Sequence, residues 1–258
     1  MSSFRQVYGV DEVSVDTWMQ AMELQRCDKG RLLEVLRFLK AYPAHFTSGR
    51  RGVEASRVRV CATLRALKDC ALKSVQFSVP DVRVDFYKDA PLTVDGCHLP
   101  VRTRLHPFER RRYFSHKTPK VCCVTYQVVF DPWRQKAVHV FGPCPASVGD
   151  KTLWALSKVA DLMPPGKSVL GDAGYVGCRG VLHPLNPGTD FDVPNVRHHN
   201  RRIRAVRWQV EAFFSRVKAF KAMSTPWRHD LSLHACAFAL LTSLLNFDLR
   251  LHPLDDGH

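Results

Sequence analysis

The chain has 258 residues, enough for one large domain or a catalytic domain with a small appendage. It is 45% hydrophobic and 24% charged, which excludes a disordered or fibrous chain. Lys and Arg number 38 against 24 Asp and Glu, a formal net charge of +14, so a polyanionic partner is the physical expectation and a ribosome-like or membrane-surface binder the plainer alternative.

The opening Met-Ser-Ser-Phe-Arg-Gln carries no apolar signal-peptide core. No apolar stretch nears the roughly 20 residues that span a bilayer, and the longest, around 235–245, reads as a buried helix. The chain is therefore expected inside the cell, in the nucleus if eukaryotic and otherwise in the cytoplasm. Nine cysteines, an odd number without a Cys-x-x-Cys pair, read as reduced thiols rather than a zinc ribbon.

Residues 1–88 read as helical. Leu32, Val35, Leu36 and Leu39 form one helical stripe, and Val53, Val60, Leu64, Leu67 and Ala71 a second, with Arg57, Arg59 and Arg65 outside it. Such a pair is a candidate helix-turn-helix, although it more often only packs. From Pro91 the texture changes. Strands are expected at 92–94, 121–130 and 136–141, with 131–135 as the turn between the last two. A loop over 142–149 leads to a helix over 150–163, with Asp150 as its N-cap, and then a strand at 168–171. Residues 180–200 look irregular, and helices follow over 201–222 and 231–249. This order suits an α/β mixed sheet flanked by helices. The division is a helical segment, 1–88, followed by a catalytic domain, 89–252.

Three acids stand in recognisable frames: Asp95 in Leu-Thr-Val-Asp-Gly-Cys-His, Asp172 in Leu-Gly-Asp-Ala-Gly-Tyr, and Glu211 in Trp-Gln-Val-Glu-Ala-Phe-Phe. The first two end strand-like runs, where ligands of open α/β sheets gather, and the third lies on a helix. Three such carboxylates suit hard oxygen-preferring cations and a two-metal phosphodiester-cutting site. Each has a plainer reading. Asp-Gly is a common turn, and Glu211 could be a surface glutamate paired with Arg207 one turn away. The apolar Trp208, Val210, Phe213 and Phe214 around Glu211 favour a functional role. Asp150 and His98 are secondary candidates, read otherwise as a helix cap and a surface histidine. Two basic runs, Arg104, Arg110, Arg111, Arg112, Lys117 and Lys120, then Arg201, Arg202, Arg204 and Arg207, flank the acid motifs and suit a DNA backbone. No Walker-type glycine loop occurs.

These motifs together resemble the DDE superfamily transposases and endonucleases of the PIF/Harbinger type. Leu-Thr-Val-Asp-Gly-Cys-His-Leu-Pro-Val resembles the first-aspartate motif, and 113–117 the Tyr-x-x-Lys-Lys segment. Residues 142–151 are similar to the Pro-Gly-Ser-x-His-Asp loop, 170–175 to the second-aspartate motif, and 200–218 to the third-acid helix. The acids are 77 and 39 residues apart. Cys97 stands where the family often has Thr, and Gly149 where it often has His; the three acids are retained. The resemblance covers 88–250. It implies an RNase H-like core, two Mg²⁺ or Mn²⁺ ions held by Asp95, Asp172 and Glu211, and cutting and joining of double-stranded DNA ends. It leaves room for a separate DNA-binding partner protein and for an oligomer, and implies no membrane. The rival is a domesticated, non-catalytic DNA-binding or scaffold protein that keeps the fold. A nuclease acting on RNA would carry the same acids.

Overall fold

The computed structural model describes residues 3–42, 51–103, 106–115, 121–186, 188 and 195–254. Helices α1 (Ser3–Tyr8), α2 (Glu12–Ala21), α3 (Arg26–Ala41), α4 (Arg51–Ser74) and α5 (Asp85–Lys88) come first. Strand β1 (Leu92–Pro100), helix α6 (Pro107–Arg110), and strands β2 (Cys123–Asp131) and β3 (Lys136–Pro145) follow. Helices α7 (Asp150–Ser157) and α8 (Val159–Leu162) then lead to strands β4 (Val169–Leu170) and β5 (Val181–Leu182). The chain closes with α9 (Val196–Lys218), α10 (Lys221–Ser224) and α11 (Leu231–Leu251).

The five strands form one mixed sheet in the order β3-β2-β1-β4-β5. β1, β2 and β3 are antiparallel neighbours, whereas β1, β4 and β5 run parallel. A mixed sheet flanked by helices is the α/β arrangement expected of an RNase H-like core. The turn from β2 to β3 forms as read, with Asp131 accepting from the backbone N–H groups of Trp133 and Arg134, each at 3.0 Å.

Side chains of β1 alternate between two cores, as the strand period requires. Cys97 and Leu99 lie with Tyr126, Val128 and Phe130 against Val210, Phe213 and Val217 of α9 and the apolar face of α11. Val94 lies on the other face with Val129, Val138, Trp154 and Tyr175. Asp95 was expected to end the strand, but β1 continues to Pro100 and pairs Asp95 with Val128. The antiparallel ladder and the buried Cys97 and Leu99 carry the chain straight through Asp-Gly. What does end near Asp95 is the parallel pairing, which covers only Leu92 and Thr93. Asp95 therefore stands at an opening in the sheet.

α11 is 21 residues long and apolar enough to cross a membrane by length and composition, which corrects the reading of the sequence. Of its 21 residues, 16 are buried inside the fold. Its Asn246 clamps β3, accepting from Ala137 N at 2.7 Å and donating to Ala137 O at 2.8 Å. Its buried Asp248 takes an ion pair from Arg5, one from Arg216 at 3.4 Å and a hydrogen bond from Ser14. Leu36 of α3, Leu64 and Ala71 of α4 and Trp18 of α2 share this core, so the described members of both stripes expected in 1–88 serve packing. The connection at 43–50, where a helix-turn-helix would turn, lies outside the described residues.

Further boundaries differ from expectation, and β3 runs to Pro145, into the stretch 142–149 read as a loop. The helix over 150–163 breaks at Lys158, which adopts left-handed backbone (φ 54°). α9 starts at Val196, inside the stretch read as irregular. β5 was too short to show a period.

Candidate active site

β1 and α9 bring the first and third acids together. Asp95 Oδ1 accepts from Gly96 N at 2.7 Å, and Oδ2 accepts from Arg207 Nη2 at 3.2 Å. The side chains of Asp95 and Arg207 are only 13% and 14% exposed. The same Nη2 stands 3.6 Å from Glu211 Oε1, one helical turn on. Val206, Val210, Phe213 and Val217 bury one stripe of α9 and turn this flank toward Asp95. Glu211 is therefore not enclosed by its apolar neighbours. They point into the core while its own side chain is 61% exposed. Arg207, expected among DNA-facing arginines, points inward between two acids.

The loop after β4 holds the second acid. Asp172 caps the 3-10 turn Ala173–Tyr175, accepting from Gly174 N at 2.9 Å. Asp150 comes to the same place from α7. It is not the helix cap; Gly149 holds that position and Asp150 is the first helical residue. A Cβ on Gly174 would stand 2.5 Å from Asp150 Oδ2 and 2.9 Å from Asp172 Oδ1. A Cβ on Gly96 would stand 3.0 Å from Asp150 Oδ1. The Asp150 carboxylate thus fills the space between the residue after Asp95 and the loop of Asp172, and only glycine leaves room for it at both points. The positive end of the α7 dipole favours an acid there.

Tyr175 lies beneath. It is fully buried, and its phenol oxygen accepts from Gln127 Nε2 at 3.2 Å. Burial raises its pKa far above the ordinary value, and the negative charges of Asp150, Asp95 and Asp172 raise it further. The hydroxyl stays protonated, and the charges of all three aspartates reach it. Gln127 Oε1 and Thr125 Oγ1 are buried beside it without a hydrogen-bond partner.

Residues 94–246 match the family model described as DDE superfamily endonuclease. The chain belongs to that family. The match runs from the residue before Asp95 to the Asn246 clamp and so contains all four acids. A Streptomyces albus G protein, provisionally named as the transposase for insertion sequence element IS112, is 30% identical over 144 residues, 55% of this chain and 52% of that protein. The chain thus spans about half the length of that relative. No solved structure matches.

Endonucleases of this family generally use divalent metals. Among the described residues, no three Asp, Glu, His or Cys side chains are gathered closely enough to hold an ion as they stand. The donor chemistry nevertheless fits. Every acid at the site offers hard carboxylate oxygens, Asp150 and Asp172 crowd one glycine, and two buried polar oxygens of β2 lie below. Asp95 and Glu211 meanwhile share the single positive charge of the guanidinium between them.

The remaining candidates stand on β1, on and after α6, and on α9. His98 Nδ1 shares a hydrogen bond with Ser115 Oγ at 2.8 Å. Arg201 and Arg204 are exposed on the first turns of α9, and Arg110, Arg111 and Arg112 on and after α6. Arg202 lies over the rings of Phe86 and Tyr87, 4.3 and 5.4 Å from their centroids. Arg104, Lys117 and Lys120 fall outside the described residues. Sequence reading missed Tyr175, although it closes the Asp172 motif. It also missed Gln127, a lone amide in an apolar strand. Both signals were present as polar groups placed among apolar ones.

Proposed function

We propose that this chain is a divalent-metal-dependent DNA endonuclease or transposase of the DDE type, close to the PIF/Harbinger group, which cuts and joins DNA ends. The observation that carries the reading is the meeting of Asp150 and Asp172 at Gly174, with the charge of Asp95 reaching the same buried phenol. In this reading Asp95, Asp172 and Glu211 hold two Mg²⁺ or Mn²⁺ ions, with Asp150 beside them. Such ions polarise a phosphoryl oxygen and make a water, or a DNA 3′-hydroxyl, nucleophilic.

The chain's own residues do the positioning. Gly96 N and Gly174 N each hold one oxygen of their aspartate and fix the carboxylate plane. Tyr175 keeps its proton and adds no charge beneath the acids. Arg207 offsets the mutual repulsion of Asp95 and Glu211, a role that bound cations would share. The exposed arginines of α6 and α9 give the phosphate backbone a positive approach. Double-stranded DNA is the proposed partner, in the nucleus of a eukaryote or the cytoplasm otherwise, with a separate DNA-binding protein or self-association as additions.

Calorimetric titration with Mn²⁺ tests the reading. The parent should bind, and Asp172→Asn should bind at least tenfold more weakly, because a hard cation prefers a carboxylate to an amide. Equal binding by the two proteins would remove Asp172 from the site.

A further inference from the structure

Beyond Pro100, β1 runs into a cleft of about 670 Å³ whose walls include Val101, Arg102, Thr103, Arg110, Cys122 and Arg228. Three of these are arginines, and among the described residues none of the three makes an ion pair. Their mounts are fixed. Arg102 N donates to Trp227 O at 2.7 Å, and Val101 bridges Trp227 in parallel register. Arg228 N donates to the Tyr42 hydroxyl at 2.6 Å. Arg110 Nε donates to Cys122 Sγ at 3.3 Å, and its guanidinium packs on the exposed Phe114 ring at 5.8 Å. Among the described residues, no acid lines the cleft. Three exposed arginines on fixed backbone around one cleft, without an ion-pair partner among the described residues, call for an anionic ligand with several charges.

The position of the cleft selects the ligand. Val101 lies six residues after Asp95, one residue beyond the end of β1. At about 3.3 Å per residue the two are ~20 Å apart. α9 follows the same course. Two turns past Glu211, the Lys218 charge reaches Cys123, the neighbour of the cleft-lining Cys122. The carboxylate centre and the cleft are thus joined by one strand and one helix. A strand of duplex DNA advances about 3.4 Å per nucleotide, so ~20 Å is roughly six nucleotides.

We propose that Arg102, Arg110 and Arg228 form a second DNA subsite, which holds backbone phosphates of the duplex about six nucleotides from the phosphate being cut. This rests on the reading of the chain as a DNA endonuclease. It adds residues that neither the acid motifs nor the basic runs indicated, since Arg102 and Arg228 lie outside both.

The test is fluorescence anisotropy of a labelled duplex with the full chain over a salt series. Parent, Asp172→Asn, and the triple variants Arg102→Gln/Arg110→Gln/Arg228→Gln and Arg102→Lys/Arg110→Lys/Arg228→Lys are compared. Losing three phosphate contacts should lower the slope of log affinity against log salt by about 2–3, and weaken binding roughly tenfold per contact near 0.1 M salt. The lysine set should recover most of the slope, and Asp172→Asn should keep all of it. If circular dichroism shows the glutamine triple unfolded, Arg102→Gln alone decides, with an expected slope loss of about 1. A glutamine triple that is folded and matches the parent slope overturns the subsite and leaves the catalytic reading intact. So does duplex binding displaced by equimolar inorganic phosphate, which would mark a small-anion site. A parent that binds no duplex at any salt concentration overturns both.

Discussion

Gly174→Ala puts a methyl group where two carboxylates meet. The new Cβ would lie 2.5 Å from Asp150 Oδ2 and 2.9 Å from Asp172 Oδ1, against an ordinary contact of 3.4 Å or more. Asp150 must retreat by nearly an ångström and Asp172 by about half that. Gly174 is not among the residues with positive φ, so the backbone itself accepts alanine. The retreat of Asp172 breaks its bond from Gly174 N, a hydrogen bond to an ionised acceptor that is worth about 1.5–3 kcal/mol. Taking ~2 kcal/mol, the melting temperature should fall by roughly 4–8 °C in a chain of this size. Function should suffer more, because a misplacement of about 1 Å at a reacting centre costs on the order of 100-fold in rate. Thermal melting, Mn²⁺ titration and duplex nicking of the same preparation read all three quantities. Parental Mn²⁺ affinity and parental nicking in Gly174→Ala would refute the idea that Asp150 and Asp172 share one working volume.

Three other outcomes follow from the same geometry. Arg207→Gln removes a positive charge 3.2 Å from Asp95, so Mn²⁺ should bind at least severalfold more tightly, read by the free-Mn²⁺ paramagnetic resonance signal; weaker binding would mean that Arg207 supports the ion rather than standing in for it. Asn246→Ala leaves Ala137 N and O buried and unbonded, a loss of about 3 kcal/mol at 1–3 kcal/mol per group, so melting should drop by roughly 6–12 °C, and a drop under ~2 °C would discount the clamp. Burial pushes His234 down to about 3 from 6.5, so the unfolded chain gains a proton there that the fold refuses. Its contribution is complete above about pH 6.5 and is lost as pH falls toward 3, by up to ~1.4 kcal/mol per pH unit. His234→Phe should flatten the melting profile between about pH 6 and 4.5, and an unchanged profile would count against this.

Much of the site was legible because its chemistry is local in sequence. Asp95, Asp172 and Glu211 sit in short frames, each beside an apolar run that reads as a strand or a helix. The sheet order could not be read so directly. β4 and β5 have two residues each, too few to show an alternation, and their parallel pairing is a long-range fact. Asp150 was read as a cap because a helix start and a site acid look alike from the chain. Only the close approach at Gly96 and Gly174 separates them. Glu211 misled in the opposite way, since neighbours in sequence on a helix face different directions. The inward turn of Arg207 depends on where β1 passes α9, which no window of the chain contains. The membrane-length apolar stretch of α11 is explained by burial between β3 and the helices α2 and α4, not by composition.

Paired nicking and binding assays on the parent, Asp172→Asn, Glu211→Gln and Asp150→Asn test the central claim most directly. With Mg²⁺ or Mn²⁺ the parent should nick a labelled duplex. The Asp172 and Glu211 variants should lose that activity while binding duplex nearly as tightly, because the arginines that hold DNA are untouched. Asp150→Asn should fall with them. Equal nicking by the parent and the Asp172 and Glu211 variants would contradict the assignment of the acids. A parent that binds DNA but cuts no end sequence with either metal would identify the chain as a DNA-binding scaffold.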